Sequence, residues 1–225
     1  MEFKGPEVAD LFEVRCINMA YLEYLRSTHG EAQRQRLPGR LRPVVAALTQ
    51  RQAERLASVP FLLLTLNESD EAYWSRVREQ LPVCDLFAVG QDPVNPLVQV
   101  VVSALGFQWQ LSRKNPYAAR LVGGACLEWC EQLAACSLLR VLQCAVDCQR
   151  FVAPRQPGNE MLWTRLLGAG LSSADDVRRA AHLAALQLVL APVHAMAGRQ
   201  LRSAACHASV PVLEIRGACS VRDNN

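Results

Sequence analysis

Apolar residues recur every three or four positions along most of this chain, a spacing that places them on one face of an α-helix. Between Val8 and Ser27 the series comprises Leu11, Phe12, Cys16, Met19, Ala20, Leu22 and Leu25. Aromatic residues form only 6% of the 225 residues, although strands are enriched in aromatic and β-branched side chains. The sequence therefore predicts an all-α protein.

Local capping signals predict where several helices begin. Thr49 and Gln52 have the spacing of a capping box, which predicts a helix from Gln50 to Ser58. Asn115 followed by Pro116 is typical of an N-cap with proline in the first turn. Further helices are predicted at 8–27, from Pro43, and at 69–80, 97–113, 116–122, 126–135, 137–151 and 160–167. The apolar segment 61–66 is compatible with a helix or an extended strand.

The most complete helical pattern lies between Ser172 and Ala191. Ser172 or Ser173 is expected to cap this helix, and acidic residues follow where they complement the helix dipole. Its predicted packing face consists of Val177, Ala180, Ala181, Ala184, Leu188 and Ala191. Residues 210–216 alternate like a strand, so a short extended tail is expected at the C-terminal end.

Three blocks of sequence occur twice in the same order, which favours an internal duplication over chance agreement. The matched pairs are 21–34 with 107–120, 54–57 with 131–134, and 71–76 with 160–165. We therefore predict a first helical unit at 1–81, a linker at 82–96, a second unit at 97–198 and an extension at 199–225. Trp74 and Trp163 should occupy equivalent places in the two units.

The basic residues are unusual because only Lys4 and Lys114 are lysine, whereas the remainder of the 24 basic residues are arginine. A GC-rich bacterial genome is one explanation, and pairing of arginine with carboxylates or phosphates is the other. The densest positive segment contains Arg34, Arg36, Arg40, Arg42, Arg51 and Arg55. These six residues are candidate nucleic-acid contacts, although a solvated surface is the simpler interpretation. Arg40 and Arg42 precede the helix start at Pro43, where backbone donors also favour an anion.

No pattern of catalytic residues accompanies this charge. The sequence lacks a glycine-rich phosphate loop, a zinc-binding His-Glu-x-x-His helix and a Gly-x-Ser-x-Gly elbow. Cys126, Cys130, Cys144 and Cys148 form two pairs with a spacing of four residues, which suits either a tetrahedral thiolate site or ordinary core thiols. We predict reduced, metal-free thiols, no cofactor and no enzymatic activity.

The N-terminal residues carry acidic side chains and no apolar stretch of signal-peptide length. The apolar stretches 59–66 and 97–107 are too short or too interrupted to span a bilayer. A cytoplasmic protein with no membrane association is therefore expected.

Four segments of the first unit form a recognisable series: Ile17-Asn18-Met19-Ala20-Tyr21-Leu22, Val45 to Thr49, Gln52 to Ala57 and the apolar segment 61–66. In this series the chain resembles the FlhD/FlhC family of flagellar transcriptional activators. The resemblance covers residues 15–66 and implies an all-helical protein that works in transcription within a two-subunit complex. One subunit of that family binds zinc through a late cluster of cysteine pairs, and this sequence has no such cluster after Cys148.

These observations lead to two functional predictions. The first is a bacterial transcriptional regulator that acts on DNA or through another regulator, and it needs the basic segment on one exposed face. The second is a non-enzymatic helical adaptor that binds a protein partner and needs an exposed apolar groove. Self-association into a homo-oligomer is compatible with both.

Overall fold

The computed structural model describes residues 4–79, 95–148 and 152–191. The described residues up to Leu190 form one compact unit. Most of the predicted linker 82–96 and the whole predicted extension 199–225, including its strand-like segment, lie outside the described residues. The predicted division of the chain at 82–96 stays a prediction.

Helices dominate the described residues, which confirms the all-α prediction. The α-helices are α1 (Val8–Arg26), α2 (Glu31–Arg34), α3 (Arg42–Ala46), α4 (Gln50–Ala57), α5 (Glu71–Glu79), α6 (Pro96–Lys114), α7 (Pro116–Gly123), α8 (Leu127–Ala135), α9 (Leu138–Cys148), α10 (Glu160–Leu167) and α11 (Asp175–Leu190). Two short strands, β1 (Leu64–Thr65) and β2 (Ala153–Pro154), pair in the antiparallel sense. The described part of the chain contains no helix with both the length and the apolar character needed to cross a membrane.

The predicted caps of α4 and α7 are confirmed, whereas α11 begins at Asp175, so neither Ser172 nor Ser173 directly precedes it. Thr49 and Gln52 form the complete capping box at the start of α4, with Thr49 Oγ1 accepting from the Gln52 backbone N–H. Asn115 Oδ1 accepts from the Ala118 backbone N–H, and Pro116 lies in the first turn of α7. These interactions join residues three positions apart, so the sequence encodes them without help from the rest of the fold.

The predicted packing face of α11 is only partly correct, because Ala181 is buried and Leu188 packs against the core, whereas Val177 and Ala180 are exposed. Val177 is 49% exposed, whereas the buried residues of α11 are Ala181, His182, Ala185 and Val189. The helix is therefore rotated about its axis relative to the prediction. Apolar alanine residues occur on several sides of α11, so periodicity alone does not fix which side faces the core.

A buried asparagine of α1 joins that helix to the segment that enters β1. Asn18 Nδ2 donates to the carbonyl oxygen of Phe61 over 2.9 Å, and Asn18 Oδ1 accepts from the Leu63 backbone N–H over 2.8 Å. Because Asn18 is fully buried, leaving these backbone groups unpaired would cost free energy. The Asn18 contacts therefore hold residues 61–63 against α1.

A buried ion pair connects the two strand segments. Arg155, just after β2, lies 3.6 Å from the Glu68 carboxylate, and both side chains are almost inaccessible. The Arg155 Nε also donates to the Leu62 carbonyl oxygen over 3.1 Å. Burial lowers the pKa of Arg155, and the Glu68 carboxylate opposes that shift. The pair fixes the turn after β1 against the residues that follow β2.

Candidate functional site

Among the six predicted nucleic-acid contacts, Arg34, Arg36 and Arg42 donate hydrogen bonds to backbone carbonyls of the protein, and Arg55 of α4 does so as well. Arg34 is buried, and its Nη1 donates to the carbonyl oxygen of Ser27 over 2.7 Å. Arg36 Nη1 donates to the Val152 carbonyl over 2.8 Å. Arg42 Nε donates over 2.9 Å to a carbonyl five residues earlier. These guanidiniums stabilise the end of α1 and the segment that leads into α3.

The fourth residue, Arg40, is exposed and contacts α10. Its Nε forms an ion pair with Glu160, and its Nη2 lies 3.4 Å from the Thr164 hydroxyl. The helix that starts at Arg42 is only five residues long. Arg40 and Arg42, the pair expected to mark a phosphate site, therefore already contact protein groups.

The remaining two arginines, Arg51 and Arg55, lie on α4 and line a cleft with arginines from two other helices. Arg15 of α1 and Arg178 of α11 complete the set, and the cleft has a volume of about 470 Å³. Glu54 and Ser58 are its other lining residues. We name this feature the arginine cleft, defined by Arg15, Arg51, Glu54, Arg55, Ser58 and Arg178.

Helix packing explains why these residues meet. The helix α4 packs against α1 on one side and against the turn 169–171, which precedes α11, on the other. Arg55 Nη1 donates to the Leu171 carbonyl over 3.1 Å. Arg178 Nη1 donates to the Ser172 carbonyl over 3.0 Å, and its Nη2 contacts Asp175 at 2.7 Å. The two half-buried guanidiniums are thus held in place by the same connection between helices.

The other two guanidiniums of the cleft project into solvent. Arg15 and Arg51 are exposed, and neither forms a hydrogen bond or an ion pair with any residue that the structure describes. Since each guanidinium carries five N–H donors, the cleft has many donors available to a bound anion. Glu54 is the only carboxylate among the lining residues.

The sequence analysis did not identify Arg15 or Arg178 as part of this site. Arg15 lies well before the basic segment and Arg178 far after it, so no local cluster of charge includes them. The sequence did predict that Arg15 and Arg178 each lie in a helix. It did not predict how those two helices are placed relative to each other. Tertiary packing alone brings the four arginines together.

Three of the four cysteines of the alternative zinc prediction have described environments, which differ, whereas the side chain of Cys148 lies outside the described part of the structure. Cys126 is exposed at the N-cap of α8, whereas Cys130 and Cys144 are buried. Burial raises the pKa of the Cys130 thiol to about 11. Within the described ranges, no group of three histidine, cysteine, aspartate or glutamate side chains is arranged to hold a metal ion. The metal-free state of these thiols stays a prediction.

A second concave surface lies between α10 and α11. Its volume is about 750 Å³, and its lining residues are Arg40, Glu160, Met161, Thr164, Arg165, Ala169, Val177, Ala180 and Ala181. Met161 is 60% exposed and Val177 is 49% exposed. We name this surface the α10–α11 groove. It combines apolar side chains with two arginines, Arg40 and Arg165.

Comparison with known proteins gives no relative from which a function can be transferred. No protein family, characterised protein or solved structure matches this chain. The resemblance of residues 15–66 to the FlhD/FlhC activators stays a prediction. Any functional assignment therefore depends on the chemistry of the arginine cleft and of the α10–α11 groove.

Proposed function

We propose that the protein is a non-enzymatic transcriptional regulator that binds the phosphate backbone of DNA. The observation that carries this proposal is the convergence of Arg15, Arg51, Arg55 and Arg178 in one cleft. Arginine suits this role because its planar fork donates two parallel hydrogen bonds to phosphate oxygens. Phosphate contacts position a protein on DNA and supply much of its affinity.

Within this proposal the six predicted contacts divide into two groups. Arg51 and Arg55 contact phosphates, together with Arg15 and Arg178. The guanidiniums of Arg34, Arg36 and Arg42 stabilise the fold, since they donate to backbone carbonyls and do not line the cleft. Arg40 pairs with Glu160 on another surface.

The proposal is tested by the salt dependence of binding to a random-sequence DNA duplex. The Arg15→Gln and Arg51→Gln variants remove exposed charges that have no described protein partner, so both should fold normally. Each substitution should weaken binding to all sequences alike and lower the slope of log K against log salt by about one unit. The Arg179→Gln variant is the matched control, because Arg179 is exposed on α11 and does not line the cleft.

Two results would reject phosphate binding at this site. The first is an intact protein that shows no salt-sensitive affinity for any duplex. The second is an Arg179→Gln variant that loses as much affinity as Arg15→Gln and Arg51→Gln, because only overall charge would then matter.

The α10–α11 groove supports a second candidate, the helical adaptor. In that role the apolar residues of the groove, including Met161 and Val177, receive a side chain of a protein partner. Introducing charge by Met161→Glu or Val177→Glu should then abolish partner binding and leave DNA binding unchanged. Leu183→Glu is the control, since Leu183 is 58% exposed on the same helix but does not line the groove.

A further inference from the structure

The arginine cleft holds more positive charge than its protein environment neutralises. Four arginines and one glutamate line it. Asp175 pairs with Arg178 at 2.7 Å, but no ion pair within the described residues involves Glu54, Arg15 or Arg51. Like charges gathered in this way repel one another unless an anion lies among them. The cleft therefore carries a net positive charge that a bound anion would neutralise.

Two of the four guanidiniums are fixed before any ligand arrives. Arg55 is held by the Leu171 carbonyl, and Arg178 is held by the Ser172 carbonyl and by Asp175. Each of these contacts uses only some of the five donors of a guanidinium. Preorganised donors bind more tightly because less side-chain entropy is lost on binding. The exposed Arg15 and Arg51 have no described protein partner, so their donors are available to the same ligand.

We propose that the arginine cleft is a binding site for a compact ligand that carries two linked phosphate groups, such as the diphosphate of a nucleotide. The volume of about 470 Å³ falls within the range of roughly 300–1,000 Å³ that small-ligand sites occupy. A diphosphate offers many acceptor oxygens in a small space, whereas a carboxylate offers two. A diphosphate has enough acceptor oxygens to bind four guanidiniums from three helices, whereas a single carboxylate does not.

This inference rests on the proposed function in one respect, which is the expected competition between the diphosphate and DNA. A diphosphate bound between Arg55 and Arg178 occupies donors that DNA phosphates would otherwise use. Free diphosphate should therefore compete with a duplex, which would make DNA binding sensitive to a small ligand. Binding of the diphosphate itself does not depend on whether the protein binds DNA.

Isothermal titration calorimetry of the full chain with inorganic pyrophosphate, at low salt, tests the site directly. We expect saturable binding of one pyrophosphate per chain and weaker binding of inorganic sulfate, which carries fewer charges. Arg51→Gln should reduce pyrophosphate affinity at least about tenfold, as expected for loss of a hydrogen bond between charged groups. Arg55→Lys keeps the charge but loses the fork, so its affinity should lie between those of the wild type and Arg55→Gln.

The controls separate this site from general charge effects and from the proposed function. Arg179→Gln should bind pyrophosphate like the wild type, and circular dichroism should show that every variant is folded. Equal losses in Arg51→Gln and Arg179→Gln, or no saturable pyrophosphate binding, would overturn the site. Duplex binding that persists without pyrophosphate binding would reject this inference alone. Pyrophosphate binding without duplex binding would support the site and reject the proposed function.

Discussion

Asn67 and Gln156 occupy the same position in two copies of one local structure. Each is a non-glycine residue with positive φ, 60° for Asn67 and 43° for Gln156. Each lies three residues after the first residue of a strand, and the two strands pair with Leu64 opposite Pro154 and Thr65 opposite Ala153. That register relates the two copies by a local two-fold arrangement.

The similarity continues into the helix that follows each strand. Asp70 caps α5 and bonds to the Asn67 side chain over 3.1 Å, while Asn159 caps α10 and bonds to the Gln156 side chain over 2.9 Å. This segment includes the start of the third predicted pair of repeated blocks, 71–76 and 160–165. The duplication of the complete helical units stays a prediction, since a shared strand, turn and cap cover only a small part of each.

The first testable consequence concerns the left-handed backbone at Asn67. Asn67→Ala should destabilise the protein by about 1–2 kcal/mol relative to Asn67→Gly, because alanine carries the steric cost of positive φ and glycine does not. Both variants lose the side-chain hydrogen bond to Asp70, so the difference between their free energies of unfolding reports the cost of the backbone conformation alone. Urea denaturation measures it, and equal midpoints for the two variants would contradict the conformation at this position.

The second consequence concerns the tryptophans of the two copies. Trp163 is fully buried, with its indole N–H 2.8 Å from the Arg155 carbonyl oxygen, and Trp74 donates to the Asn67 carbonyl over 3.0 Å. Trp74 also meets Trp129 of α8 edge to face at 5.2 Å between ring centroids. Replacing either Trp74 or Trp163 with alanine should cost about 3–5 kcal/mol.

Phenylalanine variants separate packing from hydrogen bonding at the same two positions. Trp163→Phe keeps most of the ring but leaves the Arg155 carbonyl without the indole donor, so a smaller loss of about 1–3 kcal/mol is expected. Met161→Ala, on the exposed face of α10, is the control and should change stability by less than about 0.5 kcal/mol. A change that small in Trp163→Ala would show that this side chain is not part of the core.

Interactions between residues close in sequence were predicted correctly, whereas an interaction between residues far apart in sequence was not. The Thr49 capping box and the Asn115 cap join residues three positions apart, and both were predicted correctly. The pairing of Leu64 with Pro154, which are ninety residues apart in sequence, was not predicted. Proline is tolerated there because a two-residue strand at an edge needs few backbone donors.

The candidate site also contains some residues that the sequence identified and others that it did not. The basic segment marked Arg51 and Arg55 because their charges are close in sequence. It also marked Arg34, whose guanidinium is buried against backbone carbonyls at the end of α1. Charge density in a sequence does not indicate whether a guanidinium faces solvent or caps a helix. Arg15 and Arg178 were missed because their positions depend on helix packing, and the predicted face of α11 was only partly correct.

The third prediction concerns thiol reactivity. Cys126 is exposed, whereas Cys130 is buried and burial raises its pKa to about 11. Because the thiolate is the reactive form, iodoacetamide should label Cys126 and the exposed Cys16 in the native protein. Cys130 and Cys144 should react only after unfolding, as peptide mass spectrometry can establish.

Metal analysis of the same preparations tests the alternative use of these cysteines. We expect no stoichiometric zinc, and replacement of Cys126 by serine should keep the cap of α8 and leave the metal content unchanged. One zinc per chain that disappears when Cys126 and Cys130 are replaced would contradict the prediction of metal-free thiols.

The last prediction concerns His182, which is buried in α11 with its Nε2 3.2 Å from the Gly170 carbonyl oxygen. Burial lowers the pKa of His182 below its ordinary value of 6.5, the nearby Arg178 lowers it further, and the contact with Gly170 opposes the shift. The unfolded chain therefore binds a proton at a higher pH than the native protein does. The contribution of His182 to stability is present above about pH 6.5 and is lost as the pH falls through the lowered native pKa.

Thermal denaturation between pH 7.5 and pH 5, at values chosen around the ordinary histidine pKa of about 6.5, should show a shallower loss of Tm in His182→Gln than in the wild type. His29→Gln is the matched control, since His29 is exposed, and it should retain the wild-type slope. Parallel slopes in the wild type and His182→Gln would mean that protonation of His182 is not coupled to unfolding.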